Sequence, residues 1–194
     1  TSTAHRTTPG WAYGFPEIDK EHREAIKQSK RIAVPGCHAS GYVALVYPLV
    51  KNGILDESAL LTCHSITGYS GGGKKMIAEY EGEERSELLD APRQYGLTQN
   101  HKHLKEMKAL TGIAPVFSPI VSDFYSGMVM TVPLFKEQLK EGKTVEDIKT
   151  VYKNLYTSEI GSYREDITDN NAGTFISGAG MSHKDSMKVS VLGN

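Results

Sequence analysis

The sequence has few cysteines, almost no excess charge and no long apolar run, and each of these absences excludes a class of protein. Two cysteines in 194 residues are too few for a disulfide-stabilised secreted scaffold, so a reducing, cytoplasmic setting is the default. A formal net charge of -1 provides no basic surface for nucleic acid or an anionic membrane. The longest apolar run, residues 42–50, is too short to cross a bilayer. We therefore expect a cytoplasmic protein without a nucleic-acid or membrane partner.

Both ends of the sequence suggest a piece of a longer protein. Residue 1 is Thr rather than Met, and the sequence stops in a strand-like alternation of Met187, Val189 and Val191. We expect a chain that continues at both ends.

Short strands and helices follow one another without a regular β-α-β alternation, which favours an α+β sheet covered by helices. Helical patterns cover residues 20–30, 74–81, 98–110 and 144–155, with Thr98 and Thr144 as N-caps of the last two. Strand patterns cover residues 31–34, 60–67 and parts of 114–134.

The apolar segment after Cys37 is ambiguous between helix and strand. Asn52-Gly53 at its end is a good helix C-cap, whereas Pro48 and several β-branched valines favour a strand. Its local sequence favours a buried helix.

The first candidate site is Cys37, which follows a strand and a Pro35-Gly36 turn and would open this helix. A helix N-terminus presents unpaired N–H groups and partial positive charge, and both stabilise a nucleophilic thiolate. An isolated cysteine is more often a small buried apolar residue, and that interpretation is kept for Cys63, which lies inside a predicted strand.

The second candidate is the glycine-rich segment 68–75 between a strand and a helix. It nearly matches a P-loop, but Lys75 replaces the hydroxyl residue that binds Mg²⁺. It also matches the hydrolase elbow G-x-S-x-G, with Ser70 as nucleophile, Asp123 or Asp169 next and His183 last. A third interpretation is a phosphate cradle of glycine N–H groups, and the simplest is a tight turn.

The third candidate is a histidine pair, His101 and His103, on the predicted helix 98–110. Residues two apart on a helix point in different directions, so the pair is not a metal site by spacing, and no metal site is expected. One of the two suits acid/base chemistry because imidazole titrates near neutral pH, although for such a pair taken alone a solvated helix face is the more common explanation.

Together the three segments resemble N-acetyl-gamma-glutamyl-phosphate reductases. The matching motifs, in family order, are Pro35-Gly36-Cys37, Ser70-Gly71-Gly72-Gly73-Lys74 and His101-Lys102-His103 with Glu106. Further similarity to the shorter family subtype lies in residues 2–6, 10–17, 95–100 and 118–120. The sequence departs from the family pattern in having His38 after the cysteine, then Ser40, and Gly72 and Lys74 in the glycine loop.

The resemblance implies a mixed, largely antiparallel sheet with helices on one face, similar to the C-terminal domain of glyceraldehyde-3-phosphate dehydrogenase, plus a remnant of a Rossmann domain. It implies that residues 1–36 are the tail of a dinucleotide-binding domain. Residues 37–186 would be the catalytic and oligomerisation domain of a homo-oligomer, and residues 187–194 a strand leading back.

The resemblance also implies a reaction. Cys37 would form a thioester with N-acetyl-glutamyl 5-phosphate, which NADPH would reduce to the semialdehyde, with His101 as acid/base group and Glu106 orienting it. Arg6, Ser70 and Arg93 would bind substrate, and Ser70, Gly71 and Gly72 would contact NADP(H). The alternatives are a lysine-pathway acyl-phosphate reductase, a Ser70-dependent hydrolase and a catalytically silent oligomerisation fragment.

Overall fold

The computed structural model describes residues 3–169 and 173–193. Outside this part lie Ser2, which belongs to the N-terminal segment that resembles the family, and residues 1 and 194, the outer limits of the predicted domains. The first described elements are β1 (Ala12–Tyr13), α1 (Lys20–Gln28) and β2 (Ile32–Ala33), and the two strands pair in parallel. They form a small β-α-β unit that leads directly to Cys37.

The ambiguous segment is a helix, α2 (Cys37–Lys51), although Pro48 lies inside it. Proline has no N–H, so Pro48 leaves the carbonyl oxygen of Ala44 without its usual helical donor. The hydroxyl of Tyr156 donates to that oxygen at 2.6 Å, so no buried acceptor is left unsatisfied there. A tyrosine distant in sequence thus makes the helix compatible with its proline, and the predicted buried helix is confirmed.

The main sheet contains β3 (Thr62–Gly68), β4 (Arg93–Gln94), β5 (Val116–Ser122) and β6 (Met128–Thr131), in the order β4-β5-β3-β6. The central pair β3–β5 is parallel, whereas β4–β5 and β3–β6 are antiparallel. The predicted α+β class with a mixed sheet is therefore confirmed, with two of the three strand pairings antiparallel and the longest one parallel.

The two faces of this sheet differ in burial. Cys63 and Ser65 of β3 and Phe117 of β5 are almost fully buried. The alternate positions of β3, including His64 and Ile66, are exposed on the other face. Because successive strand residues point to opposite faces, the core lies on one side of the sheet only. Helices therefore cover one face, as predicted.

The remaining helices are α3 (Lys74–Glu81), α4 (Lys102–Thr111) and α5 (Val145–Leu155). α5 begins after Thr144, which forms a capping box with Asp147, as the sequence predicts. The predicted start of α4 at Thr98 is wrong. Gln99 has a left-handed backbone (φ 54), and its amide hydrogen-bonds both the N–H and the carbonyl of Phe117, so this segment is a turn tied to the sheet.

Two short parallel strands, β7 (Gly161–Tyr163) and β8 (Met187–Val189), form a separate pair near the end of the described chain. None of the helices in the described ranges is long and apolar enough to cross a membrane.

Candidate active site

Cys37 is the first residue of α2, and its side chain is exposed between the buried residues Gly36 and His38. Gly36 is the N-cap and has no side chain to bond the first N–H groups of the helix. These N–H groups and the partial positive charge of the helix end therefore act directly beside the sulfur. The structure places an accessible thiol at the N-terminus of a helix.

The carboxylate of Glu106 holds the turn that precedes Cys37. It is 2% exposed and accepts hydrogen bonds from the Gly36 N–H and the Tyr13 hydroxyl, both at 2.8 Å. Arg6 donates to the other oxygen of Glu106 at 3.1 Å and to the Val34 carbonyl at 2.8 Å. Burial, and then the Glu106 charge, raises the pKa of Tyr13, which keeps its hydroxyl a donor. Glu106 was expected to orient His101. In the structure its carboxylate oxygens instead accept hydrogen bonds from Gly36, Tyr13 and Arg6.

His101 and His103 lie together, contrary to the expectation that a helix would point them apart. α4 starts at Lys102, so His101 is its N-cap with an extended backbone (φ -76, ψ 137), and helical geometry does not govern its direction. The two ring centroids are 4.7 Å apart. No group of three His, Cys, Asp or Glu residues among the described ones is arranged to hold a metal ion.

The two histidines differ in access. His103 is 4% exposed, and a Cβ added at Gly36 would lie 2.3 Å from its Nε2 atom, so its ring is pressed against the cysteine turn. Burial is the main cause that lowers the pKa of His103 to about 3. His101 is partly exposed, and burial followed by the charge of Lys102 lowers its pKa. His101 is therefore the more accessible of the two histidines.

His38, which the sequence analysis noted only as a departure from the family, lies at the centre of the histidine group. Its Nε2 atom is 2.6 Å from the Tyr95 hydroxyl and its Nδ1 atom is 3.0 Å from the Ser65 hydroxyl. Its ring centroid is 5.7 Å from that of His101 and 5.6 Å from that of His103. Burial lowers its pKa to about 4, so the ring is neutral at physiological pH. The sequence signal that could have identified His38 is its position as a histidine inside an otherwise apolar helix.

The glycine loop between β3 and α3 is held mainly by backbone hydrogen bonds, to which Tyr69 adds a ring stacked on Tyr80 at 4.6 Å between centroids. The N–H groups of Gly68, Tyr69 and Ser70 donate to carbonyls of residues 124–127 at 2.9–3.1 Å. No hydrogen bond in the described part of the chain joins Ser70 to Asp123 or His183. Asp123 instead pairs with Arg85. The hydrolase triad is therefore not assembled.

Arg93 lies on β4, two residues before Tyr95 and therefore on the same face of the extended chain. It donates to the Tyr80 hydroxyl at 3.1 Å and stacks over that ring, while its Nε atom is buried and finds no hydrogen-bond partner within the described structure. The hydrogen bonds and ring contacts of the described residues do not connect Arg93 to the histidines. Tyr95, which packs against the cluster of Tyr80, Leu89 and Val121 and whose hydroxyl bonds His38, lies between the two groups.

Residues 37–161 match the family model described as semialdehyde dehydrogenase, dimerisation domain. The chain belongs to the semialdehyde dehydrogenase family.

Curated relatives agree with the resemblance found in the sequence. The chain is 44% identical over 162 residues to an N-acetyl-gamma-glutamyl-phosphate reductase of Rhizobium meliloti (strain 1021), an alignment that covers 82% of this chain and 52% of the relative. It is 40% identical to an enzyme of the same name from Sinorhizobium medicae (strain WSM419), over 100% of this chain and 63% of the relative. The predicted resemblance is confirmed, and the chain spans less than two thirds of the length of these relatives.

A solved structure shares the fold. Aspartate semialdehyde dehydrogenase from Francisella tularensis superimposes with a TM-score of 0.64 at 13% identity, covering 95% of this chain and 62% of that one. At this identity the likeness concerns architecture alone.

The second cysteine of this semialdehyde dehydrogenase domain is enclosed. Cys63 lies inside β3 with 0% exposure, and burial raises the pKa of its thiol to about 12. It has neither the access nor the ionisation that a nucleophile requires, so only Cys37 qualifies among the two.

Proposed function

We propose that the protein reduces N-acetyl-L-glutamyl 5-phosphate to the 5-semialdehyde and phosphate, with NADPH as reductant, in arginine biosynthesis. The observation that supports this most is the exposed Cys37 thiol at the N-terminus of α2, on a turn fixed by the buried Glu106. The names of the curated relatives point to the same acyl phosphate.

Cys37 attacks the acyl carbon, the S–C bond forms, and the C–O bond to phosphate breaks. Phosphate is a good leaving group, so this step does not require a strong acid. The N–H groups at the start of α2 stabilise the attacking sulfur, and the Glu106–Gly36 bond keeps it in place. When hydride has been added, the S–C bond breaks again and the semialdehyde leaves, which regenerates the thiolate.

His101 is proposed as the acid/base residue, and its position at the helix cap determines which nitrogen carries the proton. The N–H of His103 donates to His101 Nδ1 at 3.2 Å, so Nδ1 is an acceptor. In the neutral ring the proton is therefore on Nε2. This N–H can donate a hydrogen bond to the oxygen of the tetrahedral species that forms on Cys37 and so stabilise its negative charge until the S–C bond breaks.

Substrate anions are assigned to Arg6, Arg93 and Ser70. Arg6 is already anchored through Nε and Nη1, beside the cysteine turn. Arg93 has a buried Nε atom without a partner among the described residues, which suits a charged ligand. Guanidinium groups bind carboxylate and phosphate through two parallel hydrogen bonds.

The residues fit one end of a nicotinamide dinucleotide. A Cβ at Gly73 would meet no atom within 4 Å and one at Gly71 would meet its first neighbour at 3.6 Å, so a phosphate or ribose can approach the backbone there. We assign Ser70, Gly71 and Gly72 to this contact, with Gly72 packed on its other side against Met76, whose Sδ would lie 2.4 Å from an added Cβ. When bound, the cofactor supplies hydride. The adenosine end needs a dinucleotide-binding fold, to which we assign residues 1–36 as the tail, with residues 37–186 as catalytic domain and 187–194 as return strand.

We assign a second copy of the chain as partner, because the open face of the main sheet exposes apolar residues. Ile66 is 42% and Val116 58% exposed there. The matched family is named for dimerisation.

The test is a pair of substitutions in the whole gene product. Cys37→Ser should abolish reduction of the acyl phosphate, because the thioester cannot form, whereas Ser70→Ala should only slow it. NADPH oxidation is followed at saturating substrate, and hydrolysis of a simple ester is measured in parallel. A hydrolase would show the reverse, with ester cleavage that survives Cys37→Ser and is lost in Ser70→Ala.

A further inference from the structure

A buried hydrogen-bonded chain next to Cys37 has no role in the steps above. It runs from Ser65 on β3 through the ring of His38 on α2 to the hydroxyl of Tyr95, with distances of 3.0 and 2.6 Å. Ser65 is 0% and His38 3% exposed. Tyr95 is linked to the same strands, because its N–H donates to Pro119, which pairs with Ser65 across the sheet.

The need to satisfy every buried polar group determines which atoms donate and which accept along this series of hydrogen bonds. The Ser65 hydroxyl is fully buried, and His38 is its partner in the described structure. If His38 Nδ1–H donated to Ser65, the serine proton would have no acceptor, which costs about 1–3 kcal/mol. The favoured arrangement has Ser65 donating to Nδ1 and His38 Nε2–H donating to Tyr95. The proton of Tyr95 then remains available for another acceptor.

The Tyr95 ring lies close to the proposed reactive groups. Its ring centroid is 6.0 Å from that of His101, and its hydrogen-bond partner His38 directly follows Cys37. Burial, followed by the charge of Cys37, raises the pKa of Tyr95 to about 12, so the phenol keeps its proton at neutral pH.

We propose that Tyr95 donates a hydrogen bond to the reacting acyl oxygen at Cys37, and that His38 and Ser65 position it. This inference rests on the proposed reductase function. No proton leaves Tyr95, because it stabilises the developing negative charge only by hydrogen bonding, beside the Nε2–H of His101. His38, which differs from the family pattern, thus serves in this protein to position the Tyr95 hydroxyl.

The first experiment is independent of activity. In the whole gene product labelled with [¹⁵N]histidine, long-range ¹H–¹⁵N correlation spectra report which ring nitrogen of His38 carries the proton, and His38→Gln identifies its signals. We expect the Nε2–H form, with Nδ1 as acceptor, at pH 7. The Nδ1–H form would overturn the proposal whether or not the enzyme is a reductase.

The second experiment measures kcat and KM for the acyl phosphate. Tyr95→Phe should lower kcat by on the order of 10²-fold, since it removes one donor to the oxyanion. His38→Leu should lower kcat less, and the double variant should be no worse than Tyr95→Phe alone, because both changes remove the same hydrogen bond. His38→Gln should recover most of the activity, because an amide can accept from Ser65 and donate to Tyr95.

Tyr156→Phe is the matched control, since it also removes a buried tyrosine hydroxyl, the one that bonds the Ala44 carbonyl. It should lower the melting temperature and leave kcat near the wild-type value. Wild-type kcat in Tyr95→Phe, or additive losses in the double variant, would refute the donor role. A wild-type enzyme inactive on the acyl phosphate would refute the reductase function and the donor role, while the histidine spectrum would still report the hydrogen-bond chain.

Discussion

The turn before Cys37 and the glycine loop before α3 are both junctions from strand to helix, yet they are held in different ways. Side chains hold the first: Glu106 accepts from the Gly36 N–H, and the His103 ring lies against Gly36. Backbone hydrogen bonds are the main support of the second, since the N–H groups of residues 68–70 bond carbonyls of residues 124–127, and the Tyr69 ring adds a stacking contact with Tyr80. The geometry of the first junction therefore depends on particular side chains, whereas that of the second depends mainly on backbone hydrogen bonds.

The difference suits two roles: the cysteine turn must keep its geometry, whereas the glycine loop can adapt to a ligand. Around Cys37, both oxygens of the buried Glu106 carboxylate are hydrogen-bonded and the neighbouring glycine has no free space, while His103 Nδ1 is buried without a partner among the described residues. Around Ser70, a Cβ at Gly71 or Gly73 would meet nothing closer than 3.6 Å, whereas the Gly72 side of the loop is closed by Met76 at 2.4 Å. A reacting sulfur requires the first kind of support, because small displacements of a nucleophile reduce its rate strongly. A loop that receives a phosphate or ribose needs mainly accessible backbone N–H groups.

The largest contrast should appear in thiol reactivity, between Cys37 at the first junction and Cys63 on the strand that leads to the second. With a pKa of about 12, Cys63 is ionised in only about one molecule in 10⁵ at pH 7, and it is fully buried. Limiting iodoacetamide at pH 7 should therefore label Cys37 alone, as read by peptide mass spectrometry. Unfolding in urea is the control and should expose both thiols. Preferential labelling of Cys63 in the native protein would contradict the assignment.

The second contrast separates the two histidines. Asn is a good N-cap, so His101→Asn should keep α4 folded while it removes the imidazole. Loss of an acid/base group typically lowers turnover by on the order of 10² to 10⁴, which is the effect we expect on kcat of the whole gene product. His103→Asn should affect kcat far less and the free energy of unfolding more, because its buried ring packs on Gly36. Equal losses of kcat at equal stability would contradict this division of roles.

The histidine cluster should also make stability depend on pH. The folded-state pKa is about 4 for His38 and about 3 for His103, and burial lowers that of His101 as well. Unfolded histidine titrates near 6.5, so below this pH the unfolded chain binds more protons and folding is weakened. The stability contributed by neutral His38, on the order of 3 kcal/mol, is present above about pH 6.5 and lost as pH falls to about 4.

Urea unfolding of the wild type and of His38→Gln between pH 4 and 7.5 measures this effect. The variant should show a shallower decline in the free energy of unfolding, although the three neighbouring rings do not titrate independently. Identical slopes would mean that His38 is not held neutral by its surroundings.

The sequence predicts most of the fold because its local patterns are strong. The buried helix, the glycine turn and α3 are marked by apolar runs and turn residues, and the capping box at Thr144 marks the start of α5. The start of α4 was mispredicted because Gln99 forms its hydrogen bonds with Phe117, a partner from another element. Local propensity contains no information about such a contact.

The candidate site shows the same limit. Cys37, Glu106 and the histidine pair are recognisable from motifs, but Glu106 bonds Gly36, 70 residues earlier, rather than the histidine beside it in sequence. His38 was not predicted because its partners Ser65 and Tyr95 come from two other segments. Residue types can be predicted from sequence, whereas pairings of buried polar groups depend on how the elements pack.

The smallest and most direct test exchanges one glycine at each junction for alanine. At Gly36 the backbone (φ -73, ψ 142) suits any residue, so the only cost is steric: the new Cβ would lie 2.3 Å from His103 Nε2 and 2.7 Å from Arg6 Nη1. Overpacking of this kind typically costs about 1–3 kcal/mol. At Gly71 the first neighbour is 3.6 Å away, so the change should stay within about 0.5 kcal/mol. Urea unfolding measures both. Adding His103→Asn to Gly36→Ala should restore part of the lost stability, because the shorter side chain makes room for the methyl group. Equal tolerance at both glycines would mean that side chains do not constrain the cysteine turn, and that the two junctions are held alike.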